Sequence, residues 1–363
     1  MATGLRFTNL ARPAPGYVEP PLAPSESLLR LDRNENAYGP AAKVITAIMN
    51  STAKVSRYSR SETESLTDSI ARFHGVHRDR VLLGAGSTDV FRMASQAFLS
   101  PKQSLIVADP TYGGPEYYAR FSGASVIKVP LTPEFAHDLA AMHVRVSSGT
   151  GLAYICNPNN PTGTLTSREQ ITKFISALPA TCVVVVDEAY HEYTADAAQA
   201  YGTFIDPTQR YDRLIVLRTF SKAHGMAGLR LGYAVAPPEL LEQMRGFALK
   251  DCVNPISAQA GLAALESQDA LRDSVVRNED DRQEFFNEAT GRMLKPIDSH
   301  ANFVFMDVLR PAQVAMQHFQ QHGIQLGPKF PSMPNHVRIS FGTPEEMTEF
   351  WRVWDLLPTV DPM

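Results

Sequence analysis

The chain is short of the features that announce simple function classes. It has three cysteines in 363 residues, too few for a disulfide framework and spaced in no metal-binding pattern. Cys156 and Cys182 lie in apolar runs and Cys252 follows Lys250-Asp251, so all three read as inert thiols suited to a reducing compartment. There is no excess of one charge: 34 basic and 38 acidic residues leave −4, which gives no reason to expect nucleic acid or an anionic membrane as partner. No apolar, uncharged run reaches 18 residues, which excludes a membrane-spanning helix. No basic, apolar leader opens the chain, so a cytoplasmic location is expected, with a leader removed ahead of Met1 left open. Internal repeats and low-complexity segments are absent.

What remains is a chain long enough for about two domains, with 44% hydrophobic residues to bury. Residues 1–30 carry five prolines between Pro13 and Pro24 and read as an extended arm. From 40 to 240, helix-like stretches (41–49, 62–73, 88–98, 168–177) alternate with apolar runs at 80–83, 104–108, 125–129, 152–156, 181–186 and 214–218. Runs without period-two alternation suit strands buried on both faces, and their alternation with helices predicts an α/β fold with a mostly parallel sheet. Beyond 240 the pattern changes. Helices at 238–248 and 258–285, a strand at 302–307, a helix at 312–322, a strand at 337–340 and a closing helix at 344–357 predict a smaller α+β domain.

In such sheets ligands sit beyond the carboxyl ends of the strands, so chemistry is sought just after each apolar run. After 80–83 comes Gly84-Ala85-Gly86-Ser87-Thr88, a small-residue turn into a helix and a candidate anion site. After 104–108 comes Asp109-Pro110-Thr111-Tyr112, whose tyrosine could stack on a flat ring. After 152–156 comes Asn157-Pro158-Asn159-Asn160-Pro161-Thr162-Gly163, where two prolines fix the turn and aim the side-chain amides. After 181–186 comes Asp187-Glu188-Ala189-Tyr190, an acid at the mouth of the sheet that needs a partner. After 214–218 comes Thr219-Phe220-Ser221-Lys222, followed eight residues on by Arg230. Each string alone is weak. Together they supply what pyridoxal 5′-phosphate requires: N–H groups and arginine for its phosphate, a stacking face, donors for its phenolic oxygen, a carboxylate for its pyridinium nitrogen and a lysine for its aldehyde.

These strings resemble fold-type I pyridoxal-phosphate enzymes, and among them the histidinol-phosphate aminotransferase-like group of the class I/II aminotransferases. The resemblance runs from about 29 to 357 and includes Asn34-Glu35-Asn36-Ala37-Tyr38-Gly39-Pro40 and Val337-Arg338-Ile339-Ser340-Phe341-Gly342. It implies a large domain (46–245) with a seven-stranded sheet between helices, and a small domain made of 31–45 and 246–363. It also implies an aminotransferase passing an amino group between an L-amino acid, or histidinol phosphate, and a 2-oxo acid. In that reading Lys222 forms the Schiff base and shuttles protons, and Asp187 pairs with the pyridinium nitrogen. Asn160 and Tyr190 bond the phenolic oxygen, while Tyr112 stacks on the ring. Ser87, Thr88, Thr219, Ser221 and Arg230 surround the phosphate, which Tyr58 reaches from the other subunit of a homodimer. Arg338, with Tyr38 and Asn160, meets the substrate. The chain departs from the group in two strings: Arg57-Tyr58 is followed by Ser59 where the group usually has proline, and Gly323-Ile324-Gln325-Leu326-Gly327 ends in glycine where the group carries an arginine for the substrate phosphate, with Lys329 displaced by two. Uncharged amino acids therefore stand beside histidinol phosphate as candidate donors. Decarboxylation, oxidation or cyclisation on the same scaffold is the alternative chemistry. An effector-sensing module is the alternative of another class, and it would need a helix-turn-helix and a basic patch that the sequence does not offer.

Overall fold

The computed structural model describes residues 28–197, 201–208 and 211–358; the expected arm at 1–30 lies almost wholly outside them. The strands are β1 (Leu29–Leu31), β2 (Val81–Gly84), β3 (Ser104–Asp109), β4 (Ser125–Pro130), β5 (Thr150–Cys156), β6 (Val183–Asp187), β7 (Leu214–Thr219), β8 (Gly232–Val235), β9 (Phe303–Asp307), β10 (Ile324–Leu326) and β11 (His336–Ser340). The helices are α1 (Ala42–Ser51), α2 (Arg60–His74), α3 (Ser87–Phe98), α4 (Gly114–Phe121), α5 (Leu139–Arg145), α6 (Arg168–Ala177), α7 (Pro238–Arg245), α8 (Pro255–Leu265), α9 (Gln268–Gly291), α10 (Ala312–Gln321) and α11 (Pro344–Trp354). None is long and apolar enough to cross a membrane.

Seven strands form the central sheet in the order β2-β8-β7-β6-β5-β3-β4. β8 runs antiparallel to both its neighbours, and the other pairings are parallel. This is the mostly parallel α/β sheet expected. The four valines of β6 show why its run is continuous: Val184 and Val186 face a core with Leu66 and Ile70 of α2 and Phe174 of α6, while Val183 and Val185 face Phe91 of α3 and Leu241 of α7. Covering both faces leaves no place for a polar alternation.

A second core, built by Val304 and Met306 of β9, Val337 and Ile339 of β11, Phe319 of α10 and Phe350 of α11, holds the carboxyl-terminal unit together. β9 and β11 pair antiparallel, and β1 pairs in parallel with β10 across nearly 300 residues of chain. The long helix expected over 258–285 is two helices, interrupted at Glu266-Ser267. α8 packs its Ala258, Ala260, Ala263 and Ala264 into the large core, so the boundary expected at 246 falls ahead of a helix that belongs with the sheet. Its four small apolar residues let it approach α1 and α2 closely, an argument from packing that helical periodicity does not carry.

Candidate active site

A cavity of about 690 Å³ opens beyond the carboxyl ends of β5, β6 and β7, against the α3 amino terminus and the β11 strand. Of the residues singled out from sequence, Ser87, Thr88, Tyr112, Asn160, Asp187, Tyr190, Thr219, Ser221, Lys222, Arg230 and Arg338 line it together. Tyr58 is 85% exposed within the protomer and contributes nothing to this lining. Tyr38, expected at the substrate, is placed elsewhere. Its hydroxyl donates to Asp281 at 3.0 Å, Arg277 stacks 4.5 Å over its ring, and it borders a separate, smaller cavity. The part-buried contact with Asp281 engages its hydroxyl within the chain.

The floor is set by the last residue of β6. Asp187 is buried and accepts from the Tyr154 hydroxyl at 2.7 Å and from the Ala189 amide at 3.1 Å. Burial pushes its carboxyl up to about 6, against the pull of those two donors. Among the described residues it has no ion-pair partner, so this buried acid facing the cavity is a carboxylate in want of a cation. The next residue, Glu188, is wholly buried but fully paired. Arg218 Nε lies 2.8 Å away, and Tyr201, Thr203 and the Phe204 amide also donate to it. Burial, the largest single influence, opposes ionisation there, but Arg218, His191 and the Phe204 and Thr203 donors together outweigh it and hold the Glu188 carboxyl below its ordinary value. Adjacent acids thus have separate assignments: Glu188 ties the loop down and Asp187 faces the cavity.

Above the floor stands Lys222. Burial, then the Arg338 charge, brings its amine down to about 7. Its Nζ donates to the Arg33 and Asn34 carbonyls at 2.8 and 3.1 Å and lies 5.5 Å from the Tyr190 ring centroid. The Tyr190 oxygen receives the amides of Asn34 at 2.9 Å and Asn160 at 3.1 Å. Arg338 donates to Asn160 Oδ1 at 2.7 Å and to the Asp32 carbonyl.

At the other end, the α3 amino terminus presents Ser87 and Thr88, and Arg230 donates to Ser221 at 3.4 Å. Gly86 has φ +84°, and a Cβ there would lie 2.5 Å from Arg230 Nη2, so glycine lets the guanidinium close on the helix terminus. Helix N–H groups, hydroxyls and a fixed cation form an anion cradle. The donor set therefore fits pyridoxal phosphate: a cradle for its phosphate, an unpaired buried carboxylate for its ring cation, and an amine of lowered basicity between them.

Sequence reading missed three residues here. Asn34 was seen only within a motif, and Tyr154 and Cys156 only as strand apolars, yet Asn34 and Cys156 line the cavity and Tyr154 supports its floor. The signal was present for Tyr154, since a tyrosine inside a run buried on both faces needs a partner for its hydroxyl.

The model of the family described as aminotransferase class I and II matches residues 26–353. A histidinol-phosphate aminotransferase of Staphylococcus epidermidis is 35% identical over 319 residues, covering 88% of each chain. One of Moorella thermoacetica is 31% identical over 330 residues, covering 90% of this chain and 84% of its own. The crystal structure of a histidinol-phosphate aminotransferase from Sinorhizobium meliloti in complex with pyridoxal-5′-phosphate is similar with a TM-score of 0.84 at 27% identity, covering 91% of this chain and 90% of that one.

Proposed function

The chain belongs to the class I and II aminotransferases and is a pyridoxal-phosphate-dependent aminotransferase; from this premise we propose the roles of its side chains and the class of its amino donor. When bound, pyridoxal phosphate supplies an aldehyde and an electron-withdrawing ring that render the Cα–H bond of an amino acid acidic. Lys222 would hold the aldehyde carbon, and its Nζ would take the Cα proton. An amine that titrates near 7 is a competent base at neutral pH. The Asp187 carboxylate faces the ring nitrogen and keeps its proton in place. Tyr190 and Asn160 donate to the phenolic oxygen, Tyr112 covers the ring face, and Ser87, Thr88, Ser221 and Arg230 hold the phosphate, with Thr219 supporting Ser221 at 3.0 Å. Tyr58 is exposed, as are Val55 and Met49 earlier in the same stretch of chain, which fits an interface with a second copy that would bring Tyr58 to the phosphate. Three unpaired cysteines, two of them buried, accord with a cytoplasmic location.

The donor is an L-amino acid with an uncharged side chain, gripped through its carboxylate by the Arg338 fork. The observation that carries this reading is Gly327. A Cβ at that position would lie 2.8 Å from the Arg338 carbonyl oxygen and 3.2 Å from its Nε, so the backbone leaves no room at 327 for the arginine that closes this string in the histidinol-phosphate group. The test is a single-turnover donor screen, read as loss of the bound cofactor's visible absorption, comparing phenylalanine, tyrosine, arginine and histidinol phosphate. Uncharged donors should turn over fastest, and a strong preference for histidinol phosphate would refute the assignment.

A further inference from the structure

The Tyr190 hydroxyl carries one proton and two acceptor positions. Asn34 Nδ2 lies 2.9 Å from its oxygen and Asn160 Nδ2 3.1 Å. The identity of each amide atom is fixed by its other neighbour. Asn160 Oδ1 must face Arg338 Nη1, at 2.7 Å, because a guanidinium only donates. The Ser340 hydroxyl accepts from the Asn34 backbone N–H at 2.8 Å, so its own proton is left to donate to Asn34 Oδ1 at 3.2 Å. Both amides therefore turn N–H toward Tyr190 and fill both acceptor positions. The only remaining direction for the phenolic proton is outward, into the cavity.

Asn34 is built to hold this position. It is 1% exposed, its φ is +54°, and its carbonyl accepts from Asn302 Nδ2 at 3.0 Å as well as from Lys222. Asparagine tolerates the left-handed region better than most side chains, and glycine does so without cost. Burial raises the Tyr190 phenol well above its ordinary value, and the Asn34 amide works against that rise.

We propose that Asn34 is a positioning residue that, by filling the second acceptor position of the Tyr190 hydroxyl, aims the phenolic proton at the oxygen of the bound cofactor. The inference rests on the role given above to Tyr190. Its reach is wider than that contact, because Ser340 lies two residues beyond Arg338 on β11 and the same lock joins the substrate grip to the proton donor.

The test compares the holoenzymes of wild type, Y190F, N34D and N34G by the pH midpoint of the bound cofactor's visible absorption change. That midpoint reports the proton on the lysine–cofactor nitrogen, which is held more tightly when the neighbouring phenolic oxygen loses a hydrogen-bond donor. Y190F should raise the midpoint by about 1–2 pH units, a roughly ten- to hundredfold gain in proton affinity, as expected for losing a hydrogen bond to a charged oxygen. N34D keeps the size and backbone of Asn34 but only accepts, so it draws the Tyr190 proton to itself and should match Y190F. N34G keeps the left-handed backbone without the amide and should shift the midpoint in the same direction by less. A purely structural role for Asn34 would lower the melting temperature of N34G and leave its midpoint at the wild-type value. Unmoved midpoints in N34D and N34G beside a shifted Y190F would overturn the role of Asn34 alone. An unmoved Y190F would overturn the reading of Tyr190 along with it. If N34D does not fold, N34G decides.

Discussion

Deleting one oxygen atom tests how the cavity floor is kept charged. In Tyr154→Phe the ring stays packed edge-on against Phe91, while Asp187 loses the hydroxyl that donates to Oδ2 at 2.7 Å. Its remaining donor is the Ala189 amide at 3.1 Å. A hydrogen bond to a charged group is worth roughly 1.5–3 kcal/mol, and about 1.4 kcal/mol is one pKa unit. Burial already pushes the Asp187 carboxyl up to about 6, so in the variant it should titrate roughly one to two units higher. The sign follows from linkage. A carboxyl whose folded pKa lies above its unfolded value binds protons in the folded state, so stability falls as pH rises through the folded pKa. Cofactor-free wild type and variant should therefore melt close together at pH 5, where Asp187 is largely protonated in both. They should separate between pH 6 and 8 and differ by roughly 2 kcal/mol at pH 8.5. Calorimetry across that range reads the difference directly, and cofactor affinity should weaken in the variant in the same pH window. A gap in melting temperature that is the same at pH 5 and 8.5 would mean that the hydroxyl packs without acting on the charge, and the reasoning would fail.

Other expectations are equally specific. Recombination of cofactor-free protein with pyridoxal phosphate needs Lys222 as a neutral amine, so its rate should rise with pH and level off just above 7; a rate still climbing at pH 9 would mean an ordinary lysine. Gly327→Ala places a Cβ against the Arg338 backbone and should raise the donor KM about tenfold or more while leaving cofactor affinity intact, consistent with losing roughly 1.5–3 kcal/mol of a charged contact. An unchanged KM would remove Arg338 from substrate binding. Arg218→Met leaves the buried Glu188 carboxylate without its cation and should cost roughly 3–5 kcal/mol of stability by denaturant titration, with less than about 1 kcal/mol counting against that pair.

Much of this molecule is legible in its sequence where a physical demand is local. The runs of β3, β5, β6 and β7 are apolar on consecutive residues because both faces of the sheet are covered, and the strings that follow them meet in one cavity because parallel strands all end on the same side. What escaped depends on distance in sequence. β8 is four residues, Gly-Tyr-Ala-Val, with no pattern of its own, and it becomes a strand because β2 and β7 lie on either side of it. β1 has three residues and exists through β10, far along the chain. The break between α8 and α9 falls at Ser267, a residue helical periodicity passes over. Within the site, side chains following strands were recognisable by type, whereas Asn34 acquires its role only when β11 brings Ser340 to it. Tyr38 shows the converse: a tyrosine in a matching motif is drawn to Asp281 by a contact that no local pattern reports.

The central claim is that Lys222 holds the cofactor, and reduction with borohydride tests it most directly. Reducing the native holoenzyme, digesting it and sequencing the labelled peptide should place the pyridoxyl group on Lys222, in the segment Thr219-Phe220-Ser221-Lys222, and Lys222→Ala should take up no label. Label on any other lysine, or an unlabelled Lys222 in a protein that retains the cofactor's visible absorption, would contradict the account.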